Sequence, residues 1–215
     1  MRLLLLGATG RTGRLVLDQA LARGHELNVL VRDRRRIRVT DPKLRVMQGH
    51  PADRVCLGKI MGGCDAVIST LNISRQNDFP WAALRTPKDF LSDVMTSILQ
   101  LAPAHHIRRI VFTSAWGVGD SEKELPGWFR WLVKKSNLRY PYADLYRTEQ
   151  LLRDTQFEWT AVRPTVLTNS RKITAAKLSN GEPDSLFISR ASVAAFLLDA
   201  VEQGLYIGET PVISK

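Results

Sequence analysis

The chain is 215 residues long, 44% hydrophobic and 24% charged, values ordinary for a folded globular protein with one large core, and no apolar stretch approaches the ~20 residues of a membrane span. Its only cysteines, Cys56 and Cys64, have no metal-ligand spacing, and its four histidines (His25, His50, His105, His106) form no binding pattern, which excludes a disulfide framework and argues against a metal site. The net charge of +10 raises nucleic acid as a partner, but the basic residues are spread along the chain and only Arg32 to Arg38 is dense.

In chain order, Arg2-Leu3-Leu4-Leu5-Leu6 has the length and unbroken hydrophobicity of a strand buried on both faces. It runs into Gly7-Ala8-Thr9-Gly10-Arg11-Thr12-Gly13 and then a helix, in which Val16 and Ala20, and Leu17 and Leu21, repeat at helical spacing before a stop at Gly24. Strand, glycine turn and helix in this order suit a dinucleotide. Gly7 permits the tight turn, Gly10 lets backbone approach a pyrophosphate, and Gly13 lets helix and sheet pack closely, while the helix N-terminus offers N–H groups and partial positive charge. The Lys-Ser/Thr pair of a P-loop is missing.

Glu26 to Val31 reads as the second strand, tipped by Arg32. An acidic residue at this tip accepts from a free ribose 2′-hydroxyl, whereas arginine answers a 2′-phosphate. Arg32, backed by Arg34, Arg35 and Arg36, therefore favours NADP(H) over NAD(H), with a solvated basic loop as the bland alternative. Asp33 reaches a ribose hydroxyl only if the loop turns the other way. Leu44 to Gln48 is a third strand, Ala52 to Met61 a helix closed by Gly62-Gly63, and Asp65 to Thr70 a fourth strand whose end, Ser69 to Asn72, borders the cofactor.

Arg75 to Pro87 is polar and aromatic and reads as a loop, where Phe79 and Trp81 either stack on a planar substrate or anchor the loop to the core. Pro87 to Ala104 is helical, with Phe90, Val94, Ile98 and Leu101 on one face, and Ile107 to Thr113 is the fifth strand. Ser114, at the tip of that strand, is the first choice for contact with the reacting centre. The competing reading is a serine that ends a strand by bonding its own backbone. Trp116 follows as a further ring platform. Asp120 to Gly127 is turn-rich, Trp128 to Lys135 an amphipathic segment placed to act as a lid, Tyr142 to Asp154 a helix, and Phe157 to Arg163 a sixth strand stopped by Pro164. Thr165 to Asp184 has little periodicity. Leu186 to Ile188 is a small strand, Ser189 an N-cap and Ala191 to Gln203 a final helix. The alternation predicts one α/β domain over residues 1–215: a Rossmann-like, doubly wound parallel sheet with helices on both faces and a small C-terminal substrate-side extension. The substrate side falls mainly in 72–86, 115–140 and 164–188.

The ensemble of Gly7-Ala8-Thr9-Gly10-x-Thr12-Gly13, Val31-Arg32-Asp33, Asp65-Ala66-Val67-Ile68, Thr113-Ser114-Ala115, Trp159-Thr160-Ala161-Val162-Arg163-Pro164 and Ile188-Ser189-Arg190 resembles the atypical short-chain dehydrogenase/reductases over nearly the whole chain. Within them it looks most like the NAD(P)H-binding proteins similar to biliverdin-IX-beta reductase, also known as flavin reductase, and the NmrA-like proteins. The resemblance implies a monomer or weak homodimer that binds NADPH through Gly7, Thr9, Gly10, Arg11, Thr12 and Gly13. It also implies 2′-phosphate contacts from Arg32 and Arg36, and nicotinamide-side contacts from Leu71, Asn72, Ser114, Pro164 and Thr165.

Three departures matter. The flavin reductase branch has a histidine near the substrate where this chain has Thr165, which weighs against biliverdin itself. The usual Gly-Asp after the third strand is Gly49-His50 here, so a carboxylate contact to adenine is lost and His50 is left to stack or to bond through its backbone. Third, the tyrosine with a lysine four residues on is absent: Tyr140, Tyr142 and Tyr146 are followed at that spacing by Asp144, Tyr146 and Gln150. Without a lysine to lower a tyrosine pKa, alcohol dehydrogenase chemistry loses its general acid. Hydride transfer to a flavin (FMN or FAD), a quinone or a similar planar acceptor needs none, because charge delocalises and water supplies the proton. The expectation is a cytoplasmic NADPH-dependent reductase of such an acceptor, without metal, membrane or nucleic-acid partner. The rival is a non-catalytic NADP(H) sensor of NmrA-like type.

Overall fold

The computed structural model describes residues 1–179 and 182–215. Strand β1 (Arg2–Leu6) lies between two parallel neighbours, β2 (Glu26–Val31) and β4 (Ala66–Ser69), with Leu5 facing Val29 on one side and Ile68 on the other. Its four leucines divide between two helix layers. Leu4 and Leu6 join a core with Ile60, Val94 and Ile98, whereas Leu3 and Leu5 join one with Val16, Ala20 and Leu197. A central strand covered on both faces has no solvent side, and all four leucines are fully buried.

The sheet runs β3 (Leu44–Gln48), β2, β1, β4, β5 (Arg109–Thr113), β6 (Glu158–Pro164), β10 (Val212–Ser214), β8 (Lys177–Ser179), parallel until β8, which is antiparallel to β10. Helices α1 (Arg11–Ala22) and α6 (Arg190–Glu202) supply the core on one face, and α2 (Arg54–Met61), α3 (Phe90–Leu101) and α5 (Arg139–Arg153) that on the other. From β1 the chain winds outward through β2 and β3, then returns to build β4, β5 and β6 on the opposite side. The strand order thus reverses between β1 and β4, where open α/β sheets hold their ligands at the carboxyl ends of the strands.

Four elements differ from the sequence expectation. Strand β10 was not anticipated, because its three residues are too few to show a period; it is fixed by pairing, Val212 with Arg163 and Ile213 with Pro164. The featureless stretch after Pro164 contains β8 and also β7 (Val166–Thr168), which forms a second small parallel sheet with β9 (Phe187–Ser189). Within that stretch, Asn180 and Gly181 lie outside the described residues. Helix α5 starts at Arg139, earlier than expected, because Pro141 sits in its first turn, where a missing N–H costs nothing. The amphipathic segment is helix α4 (Gly127–Lys135), and Ser189 caps α6 by accepting from Ser192 N at 3.0 Å.

Helix α3 is capped from another helix. Asp89 at its N-cap makes no side-chain capping bond; instead the buried Asp144 of α5 accepts from Leu91 N (2.7 Å), Ser92 N (3.2 Å) and Ser92 Oγ (2.6 Å). Burial pushes the Asp144 carboxyl above its ordinary value, and the three donors and Arg147 pull against that. Removing this acceptor strands donors in the core. Asp144→Ala is expected to cost about 2–3 kcal/mol, read as a lower urea midpoint, with Asp144→Asn intermediate; an unchanged midpoint would remove the strut from the account.

Candidate functional site

At the switch point, β1 turns into α1 through glycines with no room for side chains. Gly7 has φ +87°, and a Cβ there would lie 2.7 Å from Thr70 Oγ1 and 2.9 Å from its backbone. A Cβ on Gly13 would lie 2.1 Å from the Gly7 carbonyl oxygen, so the first turn of α1 rests directly on the turn leaving β1. Gly10 N donates to Gly7 O at 2.8 Å and closes that turn. Gly10 is also the N-cap of α1, with no capping side chain and no acidic residue in the first turn. Bare backbone, uncapped N–H groups and the positive end of the helix dipole fit a pyrophosphate.

The other strand ends line up beside it. Thr70 N and Oγ1 both donate to Leu6 O (2.9 and 3.1 Å), tying the end of β4 to β1. Beyond them, Ser114 N donates to Val162 O (2.7 Å) and Thr165 N to Ile213 O (3.0 Å). Thr70 to Asn72, Thr113 to Ser114 and Pro164 to Thr165 therefore share one edge with the glycine turn. Leu71 packs partly against the core, and the exposed Asn72 accepts from Ile73 N at 2.8 Å. Thr113 Oγ1 and Thr165 Oγ1 are buried and, among the described residues, have no hydrogen-bond partner. Such unpaired buried groups are costly in a folded chain and suit an amide ligand such as a nicotinamide carboxamide.

Ser114 does not end the strand by bonding its own backbone: its Oγ donates to Glu149 Oε1 at 2.6 Å. Glu149, fully buried on α5, is gripped by Arg163 of β6 through Nε (3.0 Å) and Nη2 (2.6 Å), and Arg163 Nη1 reaches Asp120 at 2.7 Å. Burial opposes the charge on Arg163, but the bonds from Glu149 and Asp120 outweigh it and hold the guanidinium above its ordinary value. The proton of Ser114 is thus committed, while its lone pairs can still accept. Glu149, Arg163 and Asp144 were missed from sequence, although two carried a signal: Glu149 interrupts an apolar stripe with Leu145 and Leu152, and Arg163 stands inside an apolar strand.

At the far end of β2, Arg32 and Arg36 are exposed. Asp33 caps the turn Arg34–Arg36, accepting from Arg35 N (3.0 Å) and Arg35 Nε (3.0 Å), and the bond from Arg35 holds its carboxyl below the usual carboxylate range. His50 Nδ1 accepts from Ala52 N at 3.2 Å, and its exposed ring meets Phe90 edge-on at 5.7 Å.

On the substrate side, Trp116 is not the ring platform expected of it. It is 2% exposed, packed with Leu125, Val133 and Val212, and bonded through Nε1 to Glu124 (3.2 Å), because Gly117 (φ +94°) folds the chain back immediately after it. Phe79 and Trp81 are exposed and lie 5.3 Å apart. Trp81 Nε1 donates to Lys135 O (3.1 Å) and Asn137 Nδ2 to Trp81 O (2.9 Å), so Trp81 anchors the loop to the corner between α4 and α5 and Phe79 is the freer ring. Arg11 forms a bidentate pair with Asp78 of the same loop (2.9 and 2.8 Å). Tyr142 donates to Trp116 O at 3.2 Å, which commits its proton, and burial pushes its phenol above the ordinary value.

A family model described as NAD(P)H-binding matches residues 7–204. The chain belongs to the NAD(P)H-binding family. Membership supports a nicotinamide dinucleotide as the cofactor. Among solved structures, this chain is similar to a Rossmann-fold NAD(P)-binding family protein from Shigella flexneri, at 23% identity and TM-score 0.73, covering 100% of this chain and 93% of that one. It is also similar to a short-chain dehydrogenase/reductase from Veillonella parvula in complex with NADP, at 16% identity and TM-score 0.81, covering 100% and 94%. A third is ChuY, an anaerobillin reductase from Escherichia coli, at 18% identity and TM-score 0.79, covering 99% and 96%. At such identities the likeness is one of fold. Among the described residues, no helix is long and apolar enough to cross a membrane.

Because Gly13 has no room for a methyl group, Gly13→Ala is expected to push α1 away from the turn and weaken NADPH binding at least tenfold in a fluorescence titration, by the loss of more than about one charge-assisted hydrogen bond. Unchanged affinity in this variant would show that the cofactor binds elsewhere.

Proposed function

We propose that the chain is an NADPH-dependent reductase that passes hydride to a flavin, quinone or similar planar conjugated acceptor. The observation that carries this reading is the composition of the strand edge. Its polar side chains there are hydroxyls and one amide, its serine proton is committed to a buried glutamate, and the Tyr142 hydroxyl is committed to Trp116 O. Such an edge orients rings and, among the described residues, offers no uncommitted acid to protonate an alkoxide, which favours an acceptor that delocalises the incoming charge.

The residues have distinct tasks. The glycine corner, with Thr9, Arg11 and Thr12, holds the pyrophosphate, and Arg32 and Arg36 meet the 2′-phosphate, which selects NADPH over NADH. His50 borders the adenine. Leu71, Asn72, Pro164 and Thr165 bound the nicotinamide, and Ser114 accepts from its carboxamide with the lone pairs that Glu149 leaves free. When bound, the reduced nicotinamide supplies the hydride. Phe79 and Trp81 offer faces to the acceptor. The NADP complex of the Veillonella protein and the anaerobillin reductase activity of ChuY agree with this reading. Two free thiols, Cys56 and Cys64, fit a reducing compartment such as the cytoplasm.

Two measurements test it. Purified protein mixed with NADPH and either FMN or menadione should consume NADPH well above the protein-free rate, and no excess consumption with any planar acceptor would refute the reaction. Arg32→Ala should raise the dissociation constant for NADPH about tenfold and leave that for NADH nearly unchanged, since the lost contact is one charge-assisted bond to the 2′-phosphate.

A further inference from the structure

Three of the chain's five tryptophans are exposed, and they belong to two segments that touch. Trp128 (63% exposed) and Trp131 (57%) stand one helical turn apart on α4, while Phe129 and Val133 on its inner face pack with Trp116 and Leu125. Lys135 lies one turn beyond Trp131. The third tryptophan, Trp81, reaches that same point from the loop after β4: its Nε1 donates to Lys135 O at 3.1 Å, and the exposed Phe79 lies against it at 5.3 Å. Exposed rings from the helix and the loop thus meet at Lys135. Clustered apolar surface of this kind marks an interaction site.

The charge around the rings is one-sided. The four carboxylates of residues 75–88 and 115–140 are all engaged: Asp78 by Arg11, Asp120 by Arg163, Glu122 by Lys134 and Glu124 by Trp116 Nε1. Among the described residues, Lys88, Lys123, Lys135 and Arg139 make no ion pair. Lys88 and Arg139 instead stand over the Tyr140 ring, at 4.4 and 4.8 Å, where α5 begins. The chain as a whole carries +10.

Indoles beside lysines on the outer face of a short amphipathic helix match the headgroup layer of a bilayer. There the ring is buried, its N–H stays wet and the cations meet lipid phosphates. A second copy fits worse, because a two-fold contact through this face would bring an uncompensated cationic patch onto itself.

We propose that the outer face of α4, through Trp128, Trp131 and Lys135, docks on the surface of an anionic phospholipid bilayer. The sequence expectation of no membrane partner rested on the lack of a spanning stretch, which a helix lying in the headgroup plane does not need. Asp78, next to Phe79, is paired with Arg11 at the start of α1, so docking sets the loop beside the glycine corner at the bilayer. The inference stands apart from the reductase reading, since vesicle binding requires no turnover.

Co-sedimentation of the full chain with vesicles tests it, using phosphatidylcholine alone and equal parts of phosphatidylcholine and phosphatidylglycerol. Partitioning onto the anionic vesicles should exceed that onto the neutral ones at least about tenfold, as expected for a few cations at a charged surface. Trp128→Ser/Trp131→Ser should lower anionic binding about tenfold or more by removing two buried rings, with circular dichroism and the urea midpoint unchanged. Lipids with brominated acyl chains should quench the tryptophan fluorescence of the bound parent. No binding to either vesicle, equal binding to both, undiminished binding by the double variant, or unquenched parent fluorescence would each overturn the proposal. Where vesicles are not bound, a dimer abolished in the double variant would assign the face to a second copy, and capture of a single-stranded oligonucleotide lost in that variant would assign it to nucleic acid.

Discussion

A methyl group on Gly13 would sit 2.1 Å from the Gly7 carbonyl oxygen, and that contact distance sets the geometry of the whole crevice. It brings the positive end of α1 onto the turn out of β1, at the place where the strand order reverses. Thr70 then closes the gap from the other side by spending both its backbone N–H and its hydroxyl on Leu6 O. The result is a corner made of backbone, with no room for side chains at Gly7 and Gly13. The buried leucines of β1 give the corner a rigid base, because that strand is paired on both edges and packed on both faces.

Farther along the same edge the chain relies on charge rather than close backbone packing. The Ser114–Glu149–Arg163–Asp120 series joins the ends of β5 and β6 to α5 and to the turn beyond β5. A buried pair of this kind adds little net stability compared with apolar packing, but breaking it leaves an uncompensated charge, so it locks one arrangement against others. It fixes Ser114 as an acceptor with a committed proton.

Much of the fold was legible because its strands are long apolar runs and its helices show strong periodicity. Strands β7, β8 and β10 were not, since three residues carry no period and each is defined by a partner distant in sequence. The glycine corner was readable because its requirement is local: specific backbone conformations adjacent to one another in the chain. Ser114 was singled out from its position at a strand tip, but its partner Glu149 required the α5 packing. Trp116 was misjudged because an exposed aromatic after a strand looks the same in sequence as one folded back under a helix. The Arg11–Asp78 pair joins residues far apart in the chain, which no local pattern reveals. Asp33 had two local options, and the turn through Arg35 took the one it needed for its own cap.

The most direct check of the glycine corner as a dinucleotide cradle is titration calorimetry of the unaltered chain with NADPH and NADH under the same conditions. The structure predicts one site per chain, with NADPH bound at least about tenfold more tightly, the worth of a charge-assisted contact to the 2′-phosphate. No heat of binding with either coenzyme would contradict it.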